Sequence, residues 1–365
     1  MSIWTNWDPL EEVIVGDCYQ PGSMDWLVAA DARDSFNQIL AETQEDLDGI
    51  AKCLTRLGVQ VHRPDLAVTS QPYELPGFNI HNPMAPIVPR DQYLAYGDTI
   101  YQTYTSMTDR YLDAYNYYKI FNTMFDQGYN WISQPPPAMD PLDSHENWQT
   151  DGEYIYNNKL ADRLFWHTAT MFKCGDTIIT NTAGPGTQRG LDWMRRNLPG
   201  INIIENSNTS MGNWGHIDHG YFMIDDETVV CKTVEWVPEC LRNKRILEVG
   251  LVKEDRIFPT ILNKIQNSYS DHAGKYSTGR IEQWLTQWKG YSQHTQFDTN
   301  VLVVDSKNVL FSNNVPQKLF DLLDSLGVQS HVCNQRHGYF WEGGVHCFTL
   351  DLKRTGQKRQ IVHRG

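Results

Sequence analysis

The chain contains the run Tyr93-Leu94-Ala95-Tyr96-Gly97-Asp98-Thr99-Ile100-Tyr101-Gln102, in which two short apolar segments flank a Gly-Asp pair. Segments of this kind around Gly, Asp or Asn are typical of a β-hairpin with a tight turn. The same design returns at residues 171–180, 221–230 and 301–310. This repetition predicts a fold in which one hairpin unit is used several times.

Amphipathic segments follow three of these hairpins and predict helices. They are Tyr111 to Phe125, Gly190 to Leu198, and Pro316 to Leu326, the last of which leads into a strand from Val328 to Val332. A strand from Leu10 to Val15 and another from Phe348 to Leu352 bring the total to about five β-β-α-β units. Repeated units at wide spacing indicate a propeller or solenoid whose modules share a core and converge on a central channel.

The first part of the chain predicts a β-α-β unit and then a loop. A helix is expected from Ser35 to Leu57, where apolar residues recur at helical spacing, and a strand is expected at residues 59–61. Residues 69–88 are rich in Pro and Asn, which predicts a long loop. Because no stretch resembles an interdomain linker, we expect residues 1–365 to form a single α/β domain.

Composition excludes several classes of partner. Lys and Arg total 31 against 44 Asp and Glu, and the resulting net charge of −13 disfavours nucleic acid and anionic lipid but favours a small cationic substrate. The seven cysteines form no CxxC pair, so neither a disulfide framework nor a zinc ribbon is expected. The N-terminus lacks the pattern of a secretory signal, and no apolar window approaches the roughly 18 residues of a membrane span. A cytoplasmic protein is therefore expected.

Residues 342–351 read EGGVHCFTLD and contain Cys347, the cysteine that we consider first as a candidate nucleophile. The two glycines allow a positive φ or a close approach to a ligand, and Cys347 opens a strand-like run. Such a thiol acts as a nucleophile if a nearby His or a positive backbone terminus lowers its pKa. The alternative is a buried core cysteine beside a turn.

The segment His216-Ile217-Asp218-His219 places a histidine and a carboxylate two residues apart. In an extended segment both side chains point to the same side, so a general acid/base and a cation-binding group can share one wall of a cleft. A surface loop and a partial metal site formed by His216, Asp218 and His219 are the alternatives. We expect no metal, because bound zinc needs three or four ligands and no second ligand cluster is evident in the sequence.

Two further carboxylates precede or join predicted strands. Asp91 follows Arg90 immediately before the first hairpin, and Asp176 lies at the turn of the second. One such carboxylate could hold a guanidinium in a bidentate pair, and another could orient the histidine. Each motif on its own is also an ordinary turn.

Several of these motifs together resemble a known family. WDPLEEVIVG at residues 7–16, PRD at 89–91, LDWMRR at 191–196, HID at 216–218 and GGVHC at 343–347 occur in the order found in arginine:glycine amidinotransferases and their bacterial relatives. The resemblance covers nearly the whole chain. It implies the pentein fold, a five-module α/β-propeller of ββαβ units around a central channel.

The resemblance also implies a reaction and roles for single residues. The reaction is ping-pong transfer of an amidino group from L-arginine to an amine, through an S-amidino-cysteine and without metal or cofactor, in an enzyme expected to be a homodimer. By position, Cys347 resembles the nucleophile, His216 the general acid/base and Asp176 its carboxylate partner. Asp91 and Asp218 match the carboxylates that hold the guanidinium, and Arg90 of the same PRD motif is placed with the substrate site.

The chain departs from the family around the expected acceptor site. Relatives have an acidic FDAAD-like run where this chain has His167-Thr168-Ala169-Thr170-Met171, and a Met where it has Gly215. Ser292-Gln293-His294 replaces small hydroxyl residues. We therefore place Thr168, Gly215, Ser292 and His294 near the substrate and expect an acceptor larger than glycine. Amidinotransferases of toxin and other secondary-metabolite pathways, such as that of saxitoxin, resemble this description.

Two other functions remain open at this point. A hydrolase on the same fold, of the arginine deiminase or dimethylargininase type, would resolve the covalent intermediate with water and release citrulline. A propeller without catalytic activity would bind a cationic ligand through its acidic channel. The joint presence of Cys347, His216 and Asp176 argues against the latter.

Overall fold

The computed structural model describes residues 3–26, 33–80, 83–105, 110–139, 162–182, 186–206, 216–250, 299–312, 315–341 and 343–362. Within these ranges, five sheets have the same three-stranded design. In each sheet the central strand pairs antiparallel with one neighbour and parallel with the other. This is the β-β-α-β unit that the repeated hairpins predict.

The first and last segments of the chain share one sheet. Here β1 (Leu10–Val15) pairs in parallel with β2 (Gln60–His62) and antiparallel with the last strand, β17 (Thr349–Arg354). The C-terminal strand thereby closes the first module.

The remaining four sheets follow in chain order. They are β5 (Tyr93–Tyr96), β6 (Thr99–Gln102) and β7 (Asn130–Ser133); β8 (Met171–Cys174), β9 (Thr177–Asn181) and β10 (Asn202–Asn206); β11 (Tyr221–Met223), β12 (Thr228–Cys231) and β13 (Arg245–Glu248); and β14 (Leu302–Asp305), β15 (Asn308–Ser312) and β16 (Gln329–Cys333). All four predicted hairpins are confirmed.

Helices make the crossovers that parallel strands require. They are α1 (Arg33–Arg56), α2 (Ala114–Asp126), α3 (Gln188–Asn197) and α4 (Gln317–Ser325), each within a few residues of its predicted position. In the fourth module the crossover contains two 3-10 turns, Val234–Trp236 and Glu239–Leu241. A short helix, α5 (Gly338–Trp341), precedes the segment that contains Cys347. No helix among the described residues has the length and apolar character needed to cross a membrane.

One prediction for the first half of the chain is wrong. Residues 69–88 are not a loop throughout, because β3 (Tyr73–Leu75) and β4 (Phe78–Ile80) form a small antiparallel hairpin. Gly77 occupies the turn with φ of 95°, a conformation that glycine adopts without steric cost. A signal was present, because apolar and polar residues alternate in both strands around a Pro-Gly turn, but each strand has only three residues.

Burial decreases from the first to the third strand of each module. The hairpin strands β5, β6, β8 and β9 are buried along their whole length, whereas β7 and β10 are mostly half-exposed. Strands buried on both faces are near-continuous apolar runs, as the hairpin sequences are. The hairpins therefore face the interior of the molecule, and the third strands lie outside.

Apolar clusters join each module to the next and the last to the first. Ile14 of β1 shares a cluster with Tyr93 of β5, Tyr96 of β5 with Met171 of β8, and Phe172 of β8 with Tyr221 of β11. Val229 of β12 and Val309 of β15 share a cluster, as do Leu310 of β15 and Val13 of β1. The modules accordingly form a closed ring, as the propeller prediction requires.

Charged side chains, in contrast, occupy the middle of this ring. The Asp351 carboxylate on β17 accepts hydrogen bonds from Arg90 Nη2 at 2.7 Å, Lys173 Nζ at 3.0 Å and Arg354 Nε at 2.9 Å. Arg354 also donates to the carbonyl oxygens of Asp8 and Val303. We call Asp351, Arg90, Lys173 and Arg354 the central ion network. It ties several modules together at a point that solvent does not reach.

Candidate active site

Three short segments bring polar side chains to one end of the hairpins. The 3-10 turns Pro89–Asp91, Thr168–Thr170 and Ile217–His219 lie just before β5, β8 and β11. The second packs against both of the others, and the first also contacts β17. Because the modules repeat, the residues that enter each inner strand meet at the same place.

Cys347 reaches this place on a turn that we call the cysteine loop, residues 343–348. The loop connects α5 to β17, and Cys347 is only 2% exposed. Asn300, which is fully buried, holds the loop: its Oδ1 accepts from the backbone N–H groups of His346 at 2.9 Å and Cys347 at 3.1 Å. Its Nδ2 donates to Cys347 Sγ at 3.0 Å. A donor to the sulfur stabilises the thiolate more than the thiol.

Asn300 was not identified from the sequence, although a signal was present. It lies just before the inner strand β14, at the position that Asp91 occupies before β5 and within one residue of the position that Asp218 occupies before β11. Extending the repeat to the residues before each hairpin would have found it.

The two glycines of the cysteine loop are needed for close packing. A Cβ on Gly344 would lie 2.5 Å from Asn300 Oδ1, and one on Gly343 would lie 2.7 Å from the Phe348 ring. Neither glycine is among those with positive φ. The glycines therefore do not provide a positive φ; they allow the loop to pack closely against the side chains of Asn300 and Phe348.

Asp218 connects the cysteine to a histidine. Its Oδ2 accepts from His346 Nδ1 at 2.7 Å and from the Cys347 thiol at 3.5 Å. Burial by itself would raise the pKa of Asp218, but the hydrogen bond and charge of His346 outweigh it and hold the pKa below its usual value. Burial raises the pKa of Cys347 well above its usual value, and the charges of Asp218 and Asp91 raise it further. Cys347 is therefore a thiol at neutral pH when no ligand is bound.

Asp91 is held by a guanidinium that the sequence reasoning did not identify. Arg110 Nη1 donates to Asp91 Oδ2 at 2.6 Å, and its Nη2 donates to the carbonyl oxygen of Val88 at 2.7 Å. Burial would raise the pKa of Asp91, but Arg110 keeps it below its usual value. Asp91 is thus an ionised carboxylate with a fixed orientation.

Three histidines line the same space. The ring of His216 lies 5.8 Å from that of His167 and 5.7 Å from that of His219, measured between centroids. Burial lowers the pKa of His167 to about 3 and that of His219 to about 4, with partial opposition from Asp91 and Asp218 respectively. Both rings are neutral at neutral pH. The ligand atoms of Asp91, His167 and His216, and those of His216, Asp218 and His219, lie within 4.8 Å of one another.

The structure does not bring Asp176 to this cluster, so the assignment of Asp176 as the orienting partner of His216 needs correction. Asp176 lies at the β8–β9 turn, roughly 20 Å of extended chain beyond Thr170 at about 3.3 Å per residue. Its backbone N–H donates to the carbonyl of Arg359 at 2.8 Å, and its Oδ1 accepts from Thr177 Oγ1 at 3.0 Å. Residues at the hairpin turn and residues before the hairpin lie at opposite ends of the strand.

We expect Asp176→Asn to change kcat/KM by less than about threefold, since surface substitutions away from a site have small effects. The carboxylates near His216 are instead Asp91 and Asp218, each with an oxygen within 4.8 Å of a His216 ring nitrogen. Steady-state kinetics of the variant with arginine will test this. A loss of a hundredfold or more would restore Asp176 to the catalytic set.

Other residues assigned to the substrate site from the sequence have structural contacts. Arg90 Nε donates to the carbonyl oxygen of His346 at 2.9 Å, while its Nη2 joins the central ion network. Thr168 Oγ1 donates to the carbonyl oxygen of Arg90 at 2.6 Å. Both side chains are buried and hold the backbone around the site. Gly215, Ser292 and His294 lie outside the described residues.

Comparison with known proteins gives consistent results. No family model matches the chain. Glycine amidinotransferase, mitochondrial, of Gallus gallus is 25% identical over 97% of this chain and 82% of the relative. The solved structure of inosamine-phosphate amidinotransferase from Streptomyces griseus superimposes with a TM-score of 0.73 at 22% identity, over 99% of each chain. An amidinotransferase of the saxitoxin biosynthetic pathway from Microseira wollei gives 0.67 at 19% identity, also over 99% of each chain.

Proposed function

We propose that the chain, which is similar to amidinotransferases over nearly its whole length, transfers the amidino group of L-arginine to an amine acceptor through a covalent intermediate on Cys347. The observation that carries the proposal is the contact of a buried thiol with an ionised carboxylate, Cys347 Sγ to Asp218 Oδ2 at 3.5 Å. A second carboxylate, Asp91, raises the pKa of the same thiol. Two such carboxylates attract a guanidinium cation, whose planar N–H groups match carboxylate oxygens.

Arginine activates the thiol in this proposal. In the free enzyme, burial and the charges of Asp218 and Asp91 keep Cys347 protonated. The positive charge of a bound guanidinium reduces the combined effect of these two carboxylates, so the thiol pKa falls and the proton moves to a neighbouring imidazole. The thiolate forms only when there is a carbon for it to attack, and Asn300 Nδ2 is already placed to stabilise it.

The transfer then proceeds in two half-reactions. The thiolate attacks the guanidinium carbon, the bond from that carbon to the ornithine nitrogen breaks, and His216 protonates the departing amine. Ornithine leaves an S-amidino group on Cys347. The acceptor amine loses its proton to His216 and attacks the same carbon, and the cysteine departs as a thiolate. Both carboxylates hold the planar amidino group throughout.

We propose an acceptor larger than glycine, in a secondary-metabolite pathway. The support is the replacement of the family's acidic run by residues 167–171, of which His167 borders the site with a neutral ring. Related proteins are named for glycine, for inosamine phosphate and for the saxitoxin pathway, so acceptors differ among them. The homodimer and the cytoplasmic location inferred from the sequence stay predictions.

Mass spectrometry with arginine alone tests the intermediate. Without an acceptor, the protein should gain the mass of one amidino group, and peptide mapping should place it on Cys347; the Cys347→Ser variant, the matched control, should gain nothing. Formation of this intermediate should release one equivalent of ornithine. Adding glycine, lysine, an aminocyclitol phosphate or a longer amino ketone should then release one guanidinylated product. Citrulline and ammonia without any transfer would identify a hydrolase, and an unmodified protein without product would identify a binding propeller.

A further inference from the structure

The environment of His167 is suited to binding a ligand. Its side chain is 3% exposed, and neither ring nitrogen has a hydrogen-bond partner. Leaving a buried polar group unpaired costs about 1–3 kcal/mol, and such groups are rare in native proteins. Two of its neighbours, Asp91 and His216, are themselves ligand types.

The geometry of these three side chains suits a metal ion. One oxygen of Asp91 and one nitrogen each of His167 and His216 lie within 4.8 Å of one another. Ligands about 2.0–2.2 Å from a tetrahedral zinc ion are roughly 3.3 Å apart, a distance that small side-chain rotations can reach. Arg110 fixes the Asp91 carboxylate at 2.6 Å, as outer-shell partners do in metal sites.

We propose that Asp91, His167 and His216 bind a divalent transition-metal ion. Two imidazoles and one carboxylate suit zinc, cobalt or iron better than magnesium or calcium, which prefer oxygen. Three protein ligands leave at least one coordination position for water or a small molecule.

The overlapping triad of His216, Asp218 and His219 is a poorer candidate. Asp218 Oδ2 already accepts hydrogen bonds from His346 and Cys347. Its Oδ1 lies 4.0 Å from His219 Nε2. Moving this carboxylate to a metal would break its contacts to the cysteine loop, whereas His167 has no hydrogen bond to lose.

The site overlaps the proposed arginine site, and this consequence rests on the proposed function. A dication bound to Asp91 and His216 would occupy a guanidinium-binding carboxylate and the acid/base. Metal and arginine should therefore exclude each other. Metal binding itself does not depend on amidino transfer, since it needs neither Cys347 nor substrate.

Cobalt titration of the metal-free full-length protein tests the site. We expect one equivalent of Co²⁺ to bind with visible ligand-field bands, and added arginine to shift the titration to higher cobalt. His167→Gln should weaken binding by at least the roughly 10–100-fold that losing even an outer-shell partner costs. His219→Gln, the matched control, and Cys347→Ser should bind as the wild type does.

Several results would overturn the proposal. They are unchanged cobalt affinity in His167→Gln, loss of binding in His219→Gln, and a thiolate charge-transfer band that disappears in Cys347→Ser. Circular dichroism will establish that the variants fold. If His167→Gln does not fold, X-ray absorption of the zinc-loaded wild type still tests the proposal. The proposal requires two imidazole ligands and no sulfur ligand on the zinc ion. Cobalt binding without amidino transfer would support the metal site and reject the proposed function. Amidino transfer without cobalt binding would support the proposed function and reject the metal site.

Discussion

Asp218→Asn is expected to lower kcat/KM for amidino transfer by about 10³-fold, as expected for loss of a charged group that acts on the reacting atoms. The same variant should make Cys347 easier to alkylate. Asp218 Oδ2 lies 3.5 Å from the sulfur and 2.7 Å from His346 Nδ1. Asparagine has nearly the same shape but carries no charge to hold the guanidinium.

The two effects have opposite signs for one electrostatic reason. Burial and the negative charges of Asp218 and Asp91 raise the pKa of Cys347. Removing one of those charges lowers this pKa, so the thiolate fraction at a given pH increases. In the wild type the alkylation rate should rise only at strongly alkaline pH, and in Asp218→Asn the rise should shift toward neutral pH. Arginine added to the wild type should produce a similar shift before it blocks the thiol.

The ionisation of the Cys347 thiol is measured by its rate of modification with iodoacetamide from neutral to alkaline pH, with mass spectrometry as the readout. The rate of amidino transfer is measured with labelled arginine. Asp176→Asn makes the same chemical change far from the cysteine and should alter neither quantity. If Asp218→Asn slowed alkylation at every pH and slowed transfer equally, a collapsed cysteine loop would explain the loss better than charge.

The repeated hairpins were enough to predict the modules, because a local turn signal recurs and each unit can bury its strands only against its neighbours. The resemblance to amidinotransferases, and not the repeat, predicted that Asp91, Asp218 and Cys347 share one site. Strand and helix ends moved by only a few residues, as with α2, predicted from Tyr111 and observed from Ala114. Local patterns of this kind depend on nearby residues alone.

Contacts between distant segments could not be predicted in this way. Asp176 lies in a Gly-Asp turn that looks functional in the sequence, yet the turn end of a hairpin lies away from the site. Asn300 contacts Cys347 across 47 positions of the chain, and Arg110 reaches Asp91 from a separate loop. Neither has a motif of its own. His167 was noticed only as the loss of an acidic residue, whereas its position beside His216 makes it part of the site.

Asp351→Asn is expected to lower the free energy of unfolding by about 3–5 kcal/mol, the cost of breaking a buried ion pair on one side. Asp351 is fully buried and accepts hydrogen bonds from Arg90, Lys173 and Arg354. Burial would raise its pKa, but the three cations hold the pKa well below its usual value. Asparagine would leave these cations without a buried counter-charge. Arg90 also holds the His346 carbonyl, so the variant should lose activity as well.

The pH dependence of unfolding provides an independent check on the cause. Because the folded-state pKa of Asp351 is depressed, its contribution is complete above the ordinary carboxyl pKa of about 3.9 and is lost as pH falls toward the folded-state value. The stability difference between wild type and variant should therefore shrink below about pH 4. Urea unfolding at several pH values measures it, with Asp65→Asn as the control, because the exposed Asp65–Lys119 pair should contribute only about 0–1 kcal/mol.

A second substitution separates lost counter-charge from lost packing. Burial already lowers the pKa of Lys173 to about 8, and Asp351 is what opposes a further fall. In Asp351→Asn the lysine becomes the buried cation with least support, so adding Lys173→Met should recover part of the lost stability. If the double variant were less stable than Asp351→Asn alone, packing rather than charge would explain the effect. A cost for Asp351→Asn no larger than that of Asp65→Asn would remove the central ion network as the element that holds the ring together.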